Sequence, residues 1–368
     1  MRGELLNYEC AEPVSSHNPR PARSLSSLTL PPSALLLFVL LHVCGVGALA
    51  SGAWTRQDSG TMAWLHAVQF VDENRGWAVG GNGVLLGTAD GGATWKALPR
   101  PSDDTLRDLY FSDERTGWVV CERSIYLLKA KDEPRAYLMN TTNGGSTWKR
   151  VNVLGVQVDA RLMRALFTRD GGRAWAFGEG GLLFTTRDGG TSWTPKRVPT
   201  RHLLLGGDFI DEDRGWLVGA GATILQTWDG GETWHADLIN ARGVRFNAVS
   251  FVEARIGWAV GSEGRVFATL DGGRTWHAQA SGVRADLLDV KFLDASEGWA
   301  VGAKGTIIHT TDSGLHWRVV PSGTTHPLER LSFVSRDRGW AVGFGGTIIA
   351  YTTGAPTPKK APELKGQK

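Results

Sequence analysis

The sequence predicts an all-β protein: a seven-bladed β-propeller of four-stranded antiparallel blades, its last blade closed by the N-terminal strand around Trp54. Three observations carry this. A tryptophan, usually within Gly-Trp, recurs at Trp77, Trp118, Trp175, Trp216, Trp258, Trp299 and Trp340, in steps of 41, 57, 41, 42, 41 and 41 residues, and a period near 40 residues is that of a propeller blade. Within each period, short runs alternate apolar and polar residues between Gly, Asp and Asn turns, the pattern of antiparallel strands. No segment sustains a helical period.

The chain begins with a segment that does not belong to this pattern. Residues 33–50 read SALLLFVLLHVCGVGALA, uncharged and closing on Ala48-Leu49-Ala50, with Arg20 and Arg23 ahead of them. An apolar run ending in a small-x-small site is expected to be a secretory signal peptide; the competing reading is a membrane anchor, since the run is almost long enough to span a bilayer. Val43 stands where a lipoprotein site wants a small residue before Cys44, so lipidation is not expected. The domains read from the sequence are therefore 1–50, signal peptide or anchor; 51–354, propeller; and 355–368, a basic Pro/Lys-rich tail.

The body follows one grammar. In the first repeat it runs HAVQF, a turn, GWAVG, a Gly turn, VLLGT, then DGGATW and a polar connection. Phe70, Phe111, Thr168, Phe209, Phe251, Phe292 and Phe333 align as the anchors of the innermost strands. The one long step carries extra residues in two places, after Lys129 and between Trp148 and Trp175. The seventh repeat stops after its third strand, at TIIAYTTG. Trp54 precedes Phe70 and Trp77 by 16 and 23 residues, the same offsets that separate Trp95 from Phe111 and Trp118. It is thus in register to supply the missing outer strand, which closes the ring and removes its open edge.

Six copies of T-x-[DN]-[GS]-G-x-[TSH]-W place an acid or amide at Asp90, Asn143, Asp188, Asp229, Asp271 and Asp312. These are Asp-boxes of the bacterial-neuraminidase type, between the third and fourth strands. Asp-Gly-Gly is a hairpin signal, because glycine accepts positive φ and Asp bonds its own backbone. Six copies around a rim serve folding, so neither metal binding nor catalysis is assigned to them.

Composition narrows the function. Residues 51–354 hold 33 basic and 33 acidic side chains, without the cationic surplus that phosphate backbones require, so no nucleic-acid partner is expected. Three cysteines, Cys10, Cys44 and Cys121, form no disulfide framework and match no zinc spacing. The seven histidines of the body are scattered over blades, no Gly-rich loop opens a helix, and no nucleophile–base pair stands out; no cofactor and no metal are expected.

Strand alternation puts the Asp-boxes on one face of the disc, here the first. Arg75, Arg115, Arg173, Arg214, Arg255 and Arg338 lie there too, opposite Asp72, Asp113, Asp170, Asp211, Glu253 and Asp294, and are expected to form local, solvated pairs within each hairpin. The second face carries Arg107, Arg164, Arg201, Arg242, Arg245, Arg284 and Arg330. Counting back one and three residues from each anchor gives a mixed-charge channel that includes Phe167, Asp208, Lys291, Asp108, Asp289 and Arg330. Arg107 and Arg164 stand at its mouth with His66 and Asn247. Because arginine suits carboxylate and peptide recognition, Arg107, Arg164, Arg245 and Arg330 are the candidate partner-binding residues.

The unit FVDENRGWAVGGNGVLLGTADGGATW, repeated at 41 residues across about residues 52–354, resembles that of the photosystem II stability and assembly factor family. The resemblance implies an exported, non-enzymatic helper in the periplasm, cell envelope or thylakoid lumen that binds a newly made membrane-protein subunit through a basic patch. A monomer is expected. The sequence departs from the family in its leader, its tail and the insertion after Lys129. Two alternatives remain open: an envelope carbohydrate- or peptide-binding propeller, with Trp64 and Phe344 as aromatic contacts, and a sialidase-like glycosidase built on Arg107, Arg164, Arg330, Tyr110, Glu329 and Asp108. The glycosidase lacks its Arg-Ile-Pro signature here.

Overall fold

The computed structural model describes residues 52–354 apart from 129–132, 152, 154–159, 238, 240 and 242. The leader with its 33–50 segment, the tail and Lys129 itself lie outside the described residues. Among the described residues no helix is long and apolar enough to cross a membrane.

Seven four-stranded antiparallel sheets follow one another along the chain. Their innermost strands are Leu65–Phe70, Thr105–Phe111, Leu162–Phe167, Leu204–Phe209, Phe246–Phe251, Leu287–Phe292 and Leu328–Ser335. Six blades are continuous in sequence. The seventh joins both ends of the repeat region: Ala53–Gln57 pairs antiparallel with Thr347–Thr352, Trp54 facing Tyr351. The ring is closed as the Trp54 offsets require.

The repeated aromatics explain why the sheets pack as blades. At five seams the anchor Phe of one blade lies flat on the second-strand Trp of the blade before, with ring centroids 3.4–3.8 Å apart. In every blade the same Phe meets its own outer-strand Trp edge-on, 5.7–6.3 Å away. One ring thus offers its face to the neighbouring blade and its side to its own, both favoured aromatic geometries. Trp54 makes the edge-on contact to Phe333 at 6.0 Å and 89°, so it performs the task that Trp95, Trp148, Trp193, Trp234, Trp276 and Trp317 perform elsewhere.

Blade 3 corrects the sequence reading. Its anchor is Phe167, which pairs with Ala174 and packs tilted by 30° against Trp118, and not Thr168. The first hairpin of this blade is one residue longer, and counting back from Trp175 alone put the phase one position late. Phe167 therefore packs in the seam and does not face the channel. In blade 2 the insertion is followed by Ala136–Thr141, that blade's third strand.

The Asp-boxes lock the first face. In all six, the Thr hydroxyl donates to the Asp or Asn side chain at 2.7–3.0 Å. The backbone N–H four residues beyond the Asp or Asn donates to the same side chain at 2.9 Å. In five boxes both glycines adopt positive φ, as at Gly91 and Gly92 with 69° and 84°, and in the sixth Ser313 takes the first of these positions at 63°, a region that favours glycine. The loop so shaped offers a carbonyl across the seam. Gly91, Gly144, Gly230, Gly272 and Ser313 accept the indole N–H of Trp340, Trp77, Trp175, Trp216 and Trp258. Blade 7 has no such box. Among the described residues the buried indole N–H of Trp299 has no partner there, nor has that of Trp118 at the 2–3 seam. Tyr351 occupies the strand position of the box Thr in blade 7 and packs its ring on Trp54 and Trp299.

Candidate partner-binding site

Every innermost strand carries a β-bulge at the same place, where one residue is left out of the pairing to the second strand. The seven unpaired residues are His66, Arg107, Met163, Leu205, Asn247, Leu288 and Glu329. A bulge presents two consecutive residues on one side of a strand, which simple alternation forbids. All seven bulge residues, with Arg164 and Arg330 next to two of them, line one bowl of about 190 Å³ at the second-face mouth of the channel. Blades 7, 1 and 2 give it a polar arc of Glu329, His66 and Arg107. Blades 3, 4 and 6 give an apolar arc of Met163, Leu205 and Leu288.

Three of the four candidate arginines converge on this bowl. Arg107 bonds Glu122 at 2.5 Å, a buried carboxylate that Arg135 also holds at 2.6 Å. Arg164, buried on blade 3, reaches across the channel to Asp289 of blade 6 at 3.1 Å. Arg330 lies 3.7 Å from Asp108 and 4.0 Å from Asp289. Arg245 stands one step outside, on the rim: it bonds Asp286 at 2.8 Å and reaches the bowl only through the Asn247 side chain at 3.1 Å. His66 pairs with Glu329 at 2.8 Å. The arginines thus form a charge-paired surface, each guanidinium already facing a carboxylate.

Below the mouth, channel side chains tie neighbouring blades together. Gln69, Asp108, Asp208, Ser250, Asp289 and Ser332 each accept a backbone N–H from the next blade, at Phe111, Ala165, Phe251, Phe292, Leu331 and Phe70. Blade 3 offers Arg164 and Leu166 at the matching positions, neither of which can accept a hydrogen bond. Burial dominates the acids of this wall. It pushes Asp108 up to about 6 against the pull of Arg164, and raises Asp208 and Asp289 in the same direction.

The first face behaves oppositely. Hydrogen bonds from Ser192 hold Asp188 down at about 2, and those of His316 do the same for Asp312. Within the hairpins, the acids opposite the arginines turn inward. Asp72, Asp113 and Asp211 cap their own turns by accepting backbone N–H groups. Arg214 keeps a local partner in Asp211, but Arg75 pairs with Glu114 and Arg173 with Glu212 of the following blade. The expectation of pairs within each hairpin is corrected accordingly. At Arg75 and Arg173 the paired carboxylate comes from the neighbouring turn, whereas Asp211 caps its own turn and still bonds Arg214.

The glycosidase arrangement does not assemble. Tyr110 donates its hydroxyl to the Thr168 carbonyl at 2.9 Å and packs flat on Phe167, away from the bowl, while Asp108 and Arg330 face each other. Among the described residues no three His, Cys, Asp or Glu side chains are grouped to hold a metal ion. The sequence offered no signal for Met163, Leu205 and Leu288, because only the bulge brings these residues round to the channel.

Comparison with known proteins places the chain in a family. The family described as photosynthesis system II assembly factor YCF48 matches residues 46–137, 95–199, 192–281 and 278–352. The chain belongs to this family. It is similar to the photosystem II assembly lipoprotein Ycf48 of Synechococcus sp. (strain CC9902), at 27% identity over 175 residues, 44% of this chain. The match covers 48% of that relative, so the chain spans about half the length of the curated relative it matches. YCF48 from Cyanidioschyzon merolae superimposes with a TM-score of 0.66 at 20% identity, over 82% of this chain and 99% of that one. A structure of YCF48 bound to D1 peptide does so with a TM-score of 0.66 at 21% identity, over 83% and 99%. At these identities the two Ycf48 structures establish the shared propeller fold.

Proposed function

We propose that this Ycf48-family propeller is an exported, monomeric, non-enzymatic assembly factor that docks a segment of a membrane-complex subunit in the second-face bowl. The observation that carries this is the convergence of Arg107, Arg164 and Arg330 with His66 and Glu329 on a single concave site at one end of the channel. A bowl of this size takes one large side chain at a time, with charged groups on one side and aliphatic ones on the other. That suits anchoring of an extended segment better than turnover of a substrate. A family structure with bound D1 peptide supports a peptide as the ligand class and a photosystem II subunit as the client. Export is supported by the 33–50 segment and by a relative named as a lipoprotein.

The test is direct binding of a fluorescently labelled D1 peptide to the protein and to Arg107→Gln and Met163→Glu variants, which touch the bowl from its two arcs. Binding weakened about tenfold or more by either change, with unchanged melting, supports the bowl. Equal affinity in all three moves the site elsewhere.

A further inference from the structure

The floor of the bowl is an ionic lattice strung across the channel, and it rests on four blades. Asp108 comes from blade 2, Arg164 from blade 3, Asp289 from blade 6 and Arg330 from blade 7, so two guanidinium groups answer two carboxylates. Each carboxylate spends its second oxygen on a backbone N–H, of Ala165 and Leu331. The two arginines are not held alike. Arg164 is within hydrogen-bonding distance of Asp289, whereas Arg330 sits 3.7 and 4.0 Å from its acids and its buried Nε has no partner among the described residues. Arg330 is the guanidinium nearest to release.

The other titratable and charged groups on the surrounding strands are His66 on Leu65–Phe70, Arg107 beside Asp108, Asp208 on Leu204–Phe209, Lys291 two residues after Asp289, and Glu329 beside Arg330. His66 is committed to Glu329 and Arg107 to Glu122, so neither compensates a change of charge in the lattice. Asp208 donates no positive charge and bonds the Phe251 N–H.

Resting on the docking reading above, we infer that this lattice is a proton-released latch: one proton taken up by the Asp108–Asp289 pair frees Arg330 to receive a carboxylate of the docked segment. The carboxylate replaces the lost charge of the aspartate, so the buried site stays neutral before and after exchange, which is the condition for keeping charges in a low-dielectric floor. The proton comes from solvent and stays on the aspartate; no bond of the ligand is made or broken. Burial of Asp108 sets the range near pH 6 in which exchange occurs. Binding of a carboxylate and of a proton are then coupled, and the apparent affinity for carboxylate rises by up to about tenfold per pH unit on going from pH 8 towards 6.

The experiment is a carbon and nitrogen NMR titration of the full chain, reading the Asp108 carboxyl carbon and the Arg330 Nε–H, with acetate as the probe. The Asp108 signal is expected to titrate with a midpoint near 6, the Arg330 signal to move with the same midpoint, and acetate to shift Arg330 at pH 5 but not at pH 8. Asp108→Asn is expected to hold Arg330 at its acid-form position at pH 8 and to bind acetate there. Should that variant not fold, Asp289→Asn loosens the same lattice from the opposite blade and carries the same expectation. An Asp108 midpoint below about 4.5, an Arg330 signal indifferent to pH, or equal acetate binding at both pH values overturns the latch. A D1 peptide that binds at neither pH, while acetate behaves as described, overturns the docking reading and leaves the latch standing.

Discussion

The two faces of the disc solve the same problem, joining one blade to the next, with opposite electrostatics. On the first face, exposed carboxylates of the Asp-boxes are stabilised as anions by hydroxyl and backbone N–H donors, and their loops hand a carbonyl to the neighbouring tryptophan. On the second face and in the channel wall, buried carboxylates accept backbone N–H groups of the next blade but are driven towards their neutral form by burial. Solvated hydrogen bonds therefore hold the acids of one face as anions, while burial favours the neutral form on the other. The hydrogen bonds are comparable in kind; solvent access decides the sign.

The largest expected effect breaks the closure that both faces depend on. Trp54→Ala empties the outer position of blade 7, where Trp54 contacts Trp299, Phe333 and Tyr351, and is expected to cost about 3–5 kcal/mol. Denaturant unfolding monitored by fluorescence reads this, and a loss under 1 kcal/mol would mean the ring holds without its N-terminal strand.

Arg164→Gln comes next. It leaves Asp289 buried without its nearest cation and is expected to cost about 3 kcal/mol at pH 8, where removing one partner of a buried pair is most expensive. The cost shrinks at pH 5 because the aspartate can take up a proton. A penalty that is the same at both pH values would deny the second face its titratable character.

Asp188→Ala is expected to cost about 1 kcal/mol, the scale of hydrogen bonds in an exposed turn, and to leave peptide binding unchanged. The pH signatures of the faces should also separate. Asp188, Asp229 and Asp312 are depressed to about 2, so their contribution is present above the ordinary value of 3.8 and is lost as pH falls towards 2. Asp108 is raised to about 6, so its contribution is present below 3.8 and is lost as pH rises through 6. Melting curves of Asp188→Ala should lack part of the acid limb and those of Asp108→Asn part of the neutral one; limbs exchanged between the two would reverse the comparison. The smallest effect belongs to Arg75→Ala, about 0.5 kcal/mol or less for its exposed pair with Glu114, and a larger loss by thermal melting would promote these inter-blade pairs to a structural role.

The repeat made the fold legible. A Trp period, a Gly-turn grammar and the offset of Trp54 each report a local requirement that recurs, so seven copies correct one another's ambiguities. Blade 3 shows how far this reaches: its hairpin has one additional residue, and only the seam between Phe167 and Trp118 fixes where the strand starts. The candidate site was legible in part. Arg107, Arg164 and Arg330 meet in the bowl, while Arg245 sits on its rim, because the residue ahead of each strand lies outside the bulge.

What the sequence determined by itself is whatever one blade needs alone or offers identically to every neighbour: strand alternation, positive-φ glycines, box aspartates, stacked aromatics. What only the tertiary structure decided is which unlike residues meet at the axis. Closing seven strands into a ring brings Arg164 to Asp289 from 125 residues away, and the bulges turn Met163, Leu205 and Leu288 inward. No periodic signal encodes those meetings, since each blade supplies a different residue to a site that exists only when all seven are in place.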